Sequence, residues 1–346
     1  MKISKIKVGY NERPKIIAEI GINHEGSLDI AKKMAELAIS NGADIIKTQL
    51  HLPSYEMSHE AKKVIPQHTK KSIFAIMEEC SLSIDEEYEF KNFVENSGST
   101  YLCTPFSSKA AEILGQFNVS AFKVGSGECN NPQVLNEISK YKKPTIISTG
   151  MNNLESVKRT NKFVKELKME VVFMHTTNLY PTPYELVRLG AIKNLQELVG
   201  NDSVGLSDHT TSNLACLGAV SLGAVLLERH FTDSKERIGP DIVNSMDPKE
   251  LKNLRKESEL MFKMRGGDKL TDIKEEDDTR NFAFATVVCT SNIRAGEEIT
   301  FKNTWPKRPG IGQINAWEHQ KIVGMKAARN LLKEEHIKWE DLTKKL

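Results

Sequence analysis

No stretch of this 346-residue chain is long and apolar enough to cross a bilayer, and the segment from Met1 to Lys7 carries lysines where a secretory leader would place an apolar core. A cytoplasmic protein without a membrane partner is expected. Cysteine is scarce. Cys80, Cys103, Cys129, Cys216 and Cys289 are odd in number, far apart and without a CxxC pair, which excludes a disulfide framework and a thiolate zinc site. Charge of one sign is also lacking: 48 basic against 46 acidic side chains leave a net +2, which argues against an electrostatic surface for nucleic acid and leaves affinity for anions to local sites. Low-complexity tracts and internal repeats are absent.

What is present is a repeated alternation of apolar strand and amphipathic helix. Strand-like runs fall at Lys15 to Gly21, Ala43 to Gln49, Thr100 to Phe106, Ala121 to Gly127, Pro144 to Gly150, Val171 to Thr177, Ser203 to His209 and Ala224 to Phe231. Eight such units predict a TIM (β/α)8 barrel. Ser27 and Asn153 stand as capping residues before the helical periods Leu28 to Ile39 and Glu155 to Leu167, Ser212 before Asn213 to Leu222, and Pro248 to Met264 supplies the closing helix. Leu52 to Leu82, with His51 just before it, is too long for a simple connection; containing Pro53, Pro66 and His68, it reads as a loop over the barrel mouth that could hold a hairpin. The barrel is expected over residues 1–268. A polar linker over 269–283 then leads to a small β-rich domain over 284–346, with strand-like pieces at Ala285 to Cys289 and Glu297 to Thr300.

In a TIM barrel the chemistry gathers at the carboxyl ends of the strands. Those ends offer Glu19, Lys47 with Gln49, Thr104, Lys123 with Ser126 and Glu128, Ser148, Asn178, Ser207 with His209, and Glu228 with His230. His209 and His230 close neighbouring strands, so two imidazoles at one edge can share a divalent metal. Lys47 and Lys123 interrupt apolar strands, where an unpaired ammonium is costly, and call for an anionic partner. The hydroxyls of Thr104, Ser126, Ser148 and Ser207 suit phosphate or carboxylate oxygens. Taken singly, a histidine after a strand or a lysine at its end is commonly a surface residue; their convergence argues for an anion site beside a metal site.

The segments Ile17-Ala18-Glu19-Ile20-Gly21-Ile22-Asn23-His24, Ser126-Gly127-Glu128-Cys129-Asn130-Asn131, Ser148-Thr149-Gly150-Met151, Thr177-Asn178-Leu179-Tyr180-Pro181-Thr182-Pro183, Leu206-Ser207-Asp208-His209-Thr210 and Gly239-Pro240-Asp241 resemble the sialic acid synthases. Trp305-Pro306-Lys307-Arg308-Pro309-Gly310 is similar to the antifreeze-like (SAF) module that follows the barrel in that family. The resemblance implies an N-acetylneuraminate synthase, which condenses phosphoenolpyruvate with N-acetylmannosamine through C–O cleavage. Legionaminic and pseudaminic acid synthases, acting on other N-acetylated amino sugars, are the alternative. It further implies a divalent cofactor, Mn2+ first and Mg2+ or Co2+ next, on His209 and His230. Phosphoenolpyruvate would meet Lys47, Thr104, Lys123, Ser126, Ser148, Asn178 and Ser207, and the amino sugar Gln49, Tyr180, Asp241, Phe282 and Arg308. The implied assembly is a domain-swapped homodimer in which Arg308 reaches the partner's barrel. Glu19 and Glu128 both remain candidates to manage the attacking water, while Glu228 is expected to support its neighbour His230 or the fold. Two rivals, a synthase of phosphorylated seven- or eight-carbon keto acids and a silent sugar-binding protein, are disfavoured by the missing arginine pair and by the retained histidines, lysines and Glu19.

Overall fold

A computed structural model describes residues 1–65, 71–239, 241–267 and 273–343. Pro66 and His68 of the long connection, Pro240 of the Gly-Pro-Asp motif, Asp268 at the expected domain boundary and residues 269–272 of the expected linker lie outside the described residues. The chain divides into two units, Met1–Gly266 and Gly267–Leu346.

The first unit is built on eight strands: β1 Lys15–Gly21, β2 Ile45–Leu50, β3 Thr100–Pro105, β4 Phe122–Val124, β5 Thr145–Ser148, β6 Val171–Thr176, β7 Val204–Asp208 and β8 Leu226–His230. They pair in parallel in the order β3-β2-β1-β8-β7-β6-β5-β4, and β3 packs beside β4, so the sheet closes on itself as an eight-stranded barrel. Strands covered on both faces must be apolar on both, which is why these segments read as continuous hydrophobic runs. Outward-facing Ile16, Ala18, Ile20, Ile46 and Ile147 join the large core shared with the helices. Inward-facing Ile17, Ile45, Leu102, Ile146, Val172 and Leu226 form a second, separate core with Ile3 and Val8 of the N-terminal segment.

Strand period fixes what comes next. Two residues beyond Ile17, Ile45, Leu102, Ile146 and Leu226 the side chain again points inward, and there the sequence places Glu19, Lys47, Thr104, Ser148 and Glu228, with Lys123 two beyond the inward Ala121; beyond Val172 the same step gives the apolar Met174. The barrel interior is therefore oily in its lower half and ionic directly above, all six side chains being buried.

Local signals account for the helices. Ser27 accepts from Ile30 N at the start of helix Leu28–Ser40, Asn153 accepts from Ser156 N before Leu154–Glu166, and Asp247 with Glu250 forms a capping box before Pro248–Met264. Four expectations require correction. The helix expected over Asn213 to Leu222 runs Leu214–Ser221: Asn213 takes the N-cap position with its side chain engaged by Glu250 O and the Arg229 guanidinium, and Ser212 Oγ accepts from Leu214 N. The 52–82 interval shows helical turns at Pro53–Glu56, His59–Lys63 and Ile73–Cys80, and no hairpin among the described residues, since Pro53 opens one helix and Ser72 caps another. The expected linker is helical where described, at Lys274–Glu276 and Asp277–Ala283, and belongs to the second unit. In that unit Thr286–Cys289 pairs antiparallel with Thr304–Lys307, and Val287, Ile293, Ile299, Ile314, Ile322 and Ile337 are among its core, but Glu297 to Thr300 makes only a single bridge, Glu298 to Lys326.

Candidate active site

At the carboxyl end of the barrel a cavity of about 250 Å3 is lined by Glu19, Lys47, Gln49, Thr104, Lys123, Ser126, Ser148, Asn178, Tyr180, Ser207, His209, Glu228 and His230. Phe106, Gly125, Gly127, Met151 and Thr176, which sequence reasoning did not single out, complete its wall. Phe106 and Thr176 end or follow strands like their neighbours, so the strand-end rule could have found them.

The floor is an ionic network. Lys47 Nζ lies 2.8 Å from Glu19 Oε2 and 3.6 Å from Glu228 Oε1, and donates to Thr104 Oγ1 at 3.2 Å. Lys123 Nζ donates to Ser148 Oγ at 2.7 Å and stands 3.5 Å from the same Glu228 oxygen, to which Ser207 Oγ donates at 3.0 Å. The anionic partners demanded by the two lysines are thus present within the protein. Glu228, expected to support His230 or the fold, sits between both ammonium groups. Burial opposes its charge, but Lys123 and then Lys47 outweigh burial and hold the carboxyl down at about 2. For Glu19 burial prevails over Lys47, with Glu228 adding to the rise, and its pKa is pushed up to about 7. Burial likewise pulls Lys123 down, whereas Lys47, facing two carboxylates, is raised in spite of burial.

Above this floor stand the histidines. His209 follows β7 and His230 ends β8, with ring centroids 5.5 Å apart, and Tyr180 stacks on His209 at 4.2 Å. Burial first, with His230 adding to it at His209 and Lys47 at His230, lowers the two imidazoles to about 4 and about 3, so both are neutral bases at physiological pH. His209 Nδ1 is 2.9 Å from Thr177 O, which keeps a proton on that nitrogen and leaves Nε2 with its lone pair. His230 Nδ1 is buried without a hydrogen-bond partner among the described residues, and Asp241 Oδ2 lies 3.5 Å from it. Two neutral imidazoles with free lone pairs fit a divalent cation. No group of three or more His, Cys, Asp or Glu among the described residues could hold one alone, so water or substrate oxygens would complete the coordination.

Two glycines keep this geometry open. Gly21, at φ +59° where the β1–β2 register shifts, has a conformation that disfavours a side chain and lies beside Glu19 and Gln49. A Cβ on Gly150 would come within 1.7 Å of Asn178 Oδ1, a buried acceptor that has no partner among the described residues.

The remaining expected site residues are placed differently. Glu128 is half-buried past the end of β4, accepts from Asn131 Nδ2 and is absent from the cavity wall. Asp241 stands 3.5 Å from His230 Nδ1 without lining the cavity. Phe282, on helix Asp277–Ala283, and Arg308, beside Pro309, are exposed residues of the second unit.

Comparison with known proteins gives a consistent answer. Residues 34–269 match the model of the NeuB family. The chain is 33% identical to the N,N'-diacetyllegionaminic acid synthase of Campylobacter jejuni over 331 residues, covering 93% of this chain and 98% of that protein. It is 34% identical to the human N-acetylneuraminate-9-phosphate synthase over 263 residues, 72% and 71% of the respective chains. The crystal structure of the N-acetylneuraminic acid synthetase of Leptospira borgpetersenii in complex with citrate superposes with a TM-score of 0.74 at 25% identity, covering 81% of this chain and 94% of that one.

Proposed function

Because the chain belongs to the NeuB family of sugar acid synthases, we propose that it condenses phosphoenolpyruvate with N-acetylmannosamine and water to give N-acetylneuraminate and phosphate. The observation that carries this reading is the buried pair of lysines, Lys47 and Lys123, facing a cavity whose upper wall bears two neutral imidazoles. A small polyanion is recognised by the first feature, and an aldehyde oxygen by what the second can bind.

In the reaction a bond forms between C3 of phosphoenolpyruvate and C1 of the open-chain sugar, whose aldehyde oxygen gains a proton. Water adds to C2, losing a proton, and the C2–O bond to phosphate breaks. A divalent cation on His209 and His230 would supply Lewis acidity toward the aldehyde oxygen. Lys47 and Lys123 hold the carboxylate and phosphate, with Thr104, Ser148 and Ser207 giving hydroxyls already oriented by the charged groups of the floor. Glu19 is the base for the attacking water: it lines the cavity and exchanges a proton near neutral pH, whereas Glu128 does not line it. Tyr180, stacked on His209, forms an apolar wall for the sugar.

A second reading, synthesis of N,N'-diacetyllegionaminate from a diacetamido sugar, is favoured by the Campylobacter relative aligning over nearly all of both chains. One experiment tests both. Phosphate release from phosphoenolpyruvate is followed over N-acetylmannosamine, its 6-phosphate and 2,4-diacetamido sugars, with and without manganese, and the keto acid is identified by mass. N-acetylmannosamine is expected to give the highest kcat/KM. Faster turnover of a diacetamido sugar transfers the assignment to the second reading, and no phosphate release with any sugar overturns both.

A further inference from the structure

Sequence reading passed over His51 except as the residue before a long connection, yet its side chain is buried and so is that of Glu56. The imidazole stacks flat on Phe106 of the cavity wall, with centroids 4.2 Å apart and planes at 18°. Its Nδ1 faces both oxygens of Glu56, at 3.0 and 3.2 Å, and Leu52 N donates to Glu56 Oε2 at 3.3 Å. Its Nε2 is 2.9 Å from Gln49 Oε1, and the other end of the same amide, Gln49 Nε2, donates to Glu19 Oε1 at 2.6 Å. Four side chains thus form one line, Glu56, His51, Gln49 and Glu19, running from the loop after β2 to the floor of the cavity.

The direction of that line follows from what each group can do. A carboxylate only accepts, so Nδ1 of His51 carries a proton. An amide has one accepting end and one donating end, and which end meets Glu19 depends on what the imidazole presents to the other. Both ring nitrogens of His51 face oxygens, Nδ1 those of the Glu56 carboxylate and Nε2 that of the Gln49 amide. The amide must then offer its NH2 to Glu19. Turned over, the amide would set its own oxygen 2.6 Å from a carboxylate oxygen.

We propose that His51 and Glu56 are positioning residues for the synthase reaction: by fixing the Gln49 amide they aim and hold the Glu19 carboxylate toward the attacking water. This rests on the assignment of Glu19 as the base. The helical turn Pro53–Glu56, in place of an open loop, is what returns Glu56 to His51 five residues away.

The test is a double-mutant cycle on the manganese-loaded enzyme with both substrates. His51→Phe keeps the stacking on Phe106 and deletes both ring nitrogens. Gln49→Met breaks the line one step nearer to Glu19. His51→Phe is expected to lower kcat about tenfold or more while KM for phosphoenolpyruvate stays within twofold, because the lysines are untouched. In the Gln49→Met background the same change should alter kcat less than twofold, since there is no longer an amide to orient. Restoration of at least half of the lost kcat by His51→Gln, whose NH2 can donate to Gln49 Oε1, is also expected. If the His51→Phe and Gln49→Met effects multiply independently, or if His51→Phe leaves kcat unchanged, the proposal fails. Should His51→Phe not fold, Glu56→Gln carries the same cycle, because it replaces the carboxylate whose two oxygens face His51 Nδ1 and fix the ring. A wild-type enzyme that releases no phosphate with any sugar defeats the synthase reading instead, so the two failures are distinct.

Discussion

Replacing Glu228 by glutamine tests the ionic floor at its centre. One Glu228 oxygen stands 3.6 Å from Lys47 Nζ and 3.5 Å from Lys123 Nζ, and all three side chains are buried. Glutamine keeps the shape and the acceptor for Ser207 but removes the charge. Lys47 retains Glu19 at 2.8 Å; Lys123 is left with Ser148 and no carboxylate within ion-pair distance among the described residues. Removing one partner of a buried pair costs about 3–5 kcal/mol, because the remaining charge stays desolvated. For a unit of this size each kcal/mol moves Tm by about 2–4 °C, so a fall on the order of 10 °C is expected near pH 6.5. The sign with pH follows from Lys123. Burial already pulls its pKa down, and without Glu228 it falls further below the unfolded value; the penalty is full while Lys123 is charged in both states and shrinks as the pH rises and the folded state releases the proton. The same excess charge should draw in phosphoenolpyruvate. Differential scanning fluorimetry over pH 6–9, with and without it, should show a Tm deficit that narrows with pH and a larger stabilisation by the ligand than in the parent protein. A variant within 2 °C of the parent at pH 6.5, or one stabilised less by phosphoenolpyruvate, would falsify the idea that Glu228 neutralises an anion site.

Three further outcomes are expected. His209→Ala and His230→Ala should each abolish manganese binding in titration calorimetry and abolish activity while cooperative unfolding persists; activity retained by both, or after EDTA treatment, refutes the pair. Lys123→Met should raise KM for phosphoenolpyruvate by roughly 10- to 100-fold, the worth of a charged hydrogen bond, and KM for the sugar far less; equal effects would make Lys123 structural. Phosphoenolpyruvate should take up a proton as it binds near pH 7.5, because the ligand competes for Lys47 and thereby raises Glu19 further from about 7, and the uptake should fade below about pH 6 where Glu19 is already protonated. Calorimetry in buffers of different ionisation enthalpy measures it, and an undiminished uptake in Glu19→Gln counts against Glu19 as the group.

Much of this molecule follows from local order in the chain. The eight strands are legible because segments buried on both faces must be apolar throughout, and the closing helix Pro248–Met264 because a capping box and proline mark its start. Period two along β1, β2, β4 and β8 also determines that Glu19, Lys47, Lys123 and Glu228 point inward, and the strand-end rule of the barrel then names the site. What the sequence leaves open is distance across the barrel. Glu19 and Glu128 both stand near the carboxyl ends of apolar runs and look equivalent in one dimension, but Glu19 lies within β1 whereas Glu128 lies beyond β4, after Gly125, in a turn that carries it off the wall. Glu228 reads as a neighbour of His230, yet closure of the sheet brings Lys47 and Lys123, from β2 and β4, to the same carboxylate oxygen. The line from Glu56 to Glu19 likewise exists only because a helical turn, rather than the hairpin the spacing allowed, folds Glu56 back on His51. Periodicity along one strand decides which way a side chain faces; which charges meet is decided by the curvature and shear of the whole barrel, a property of all eight strands together.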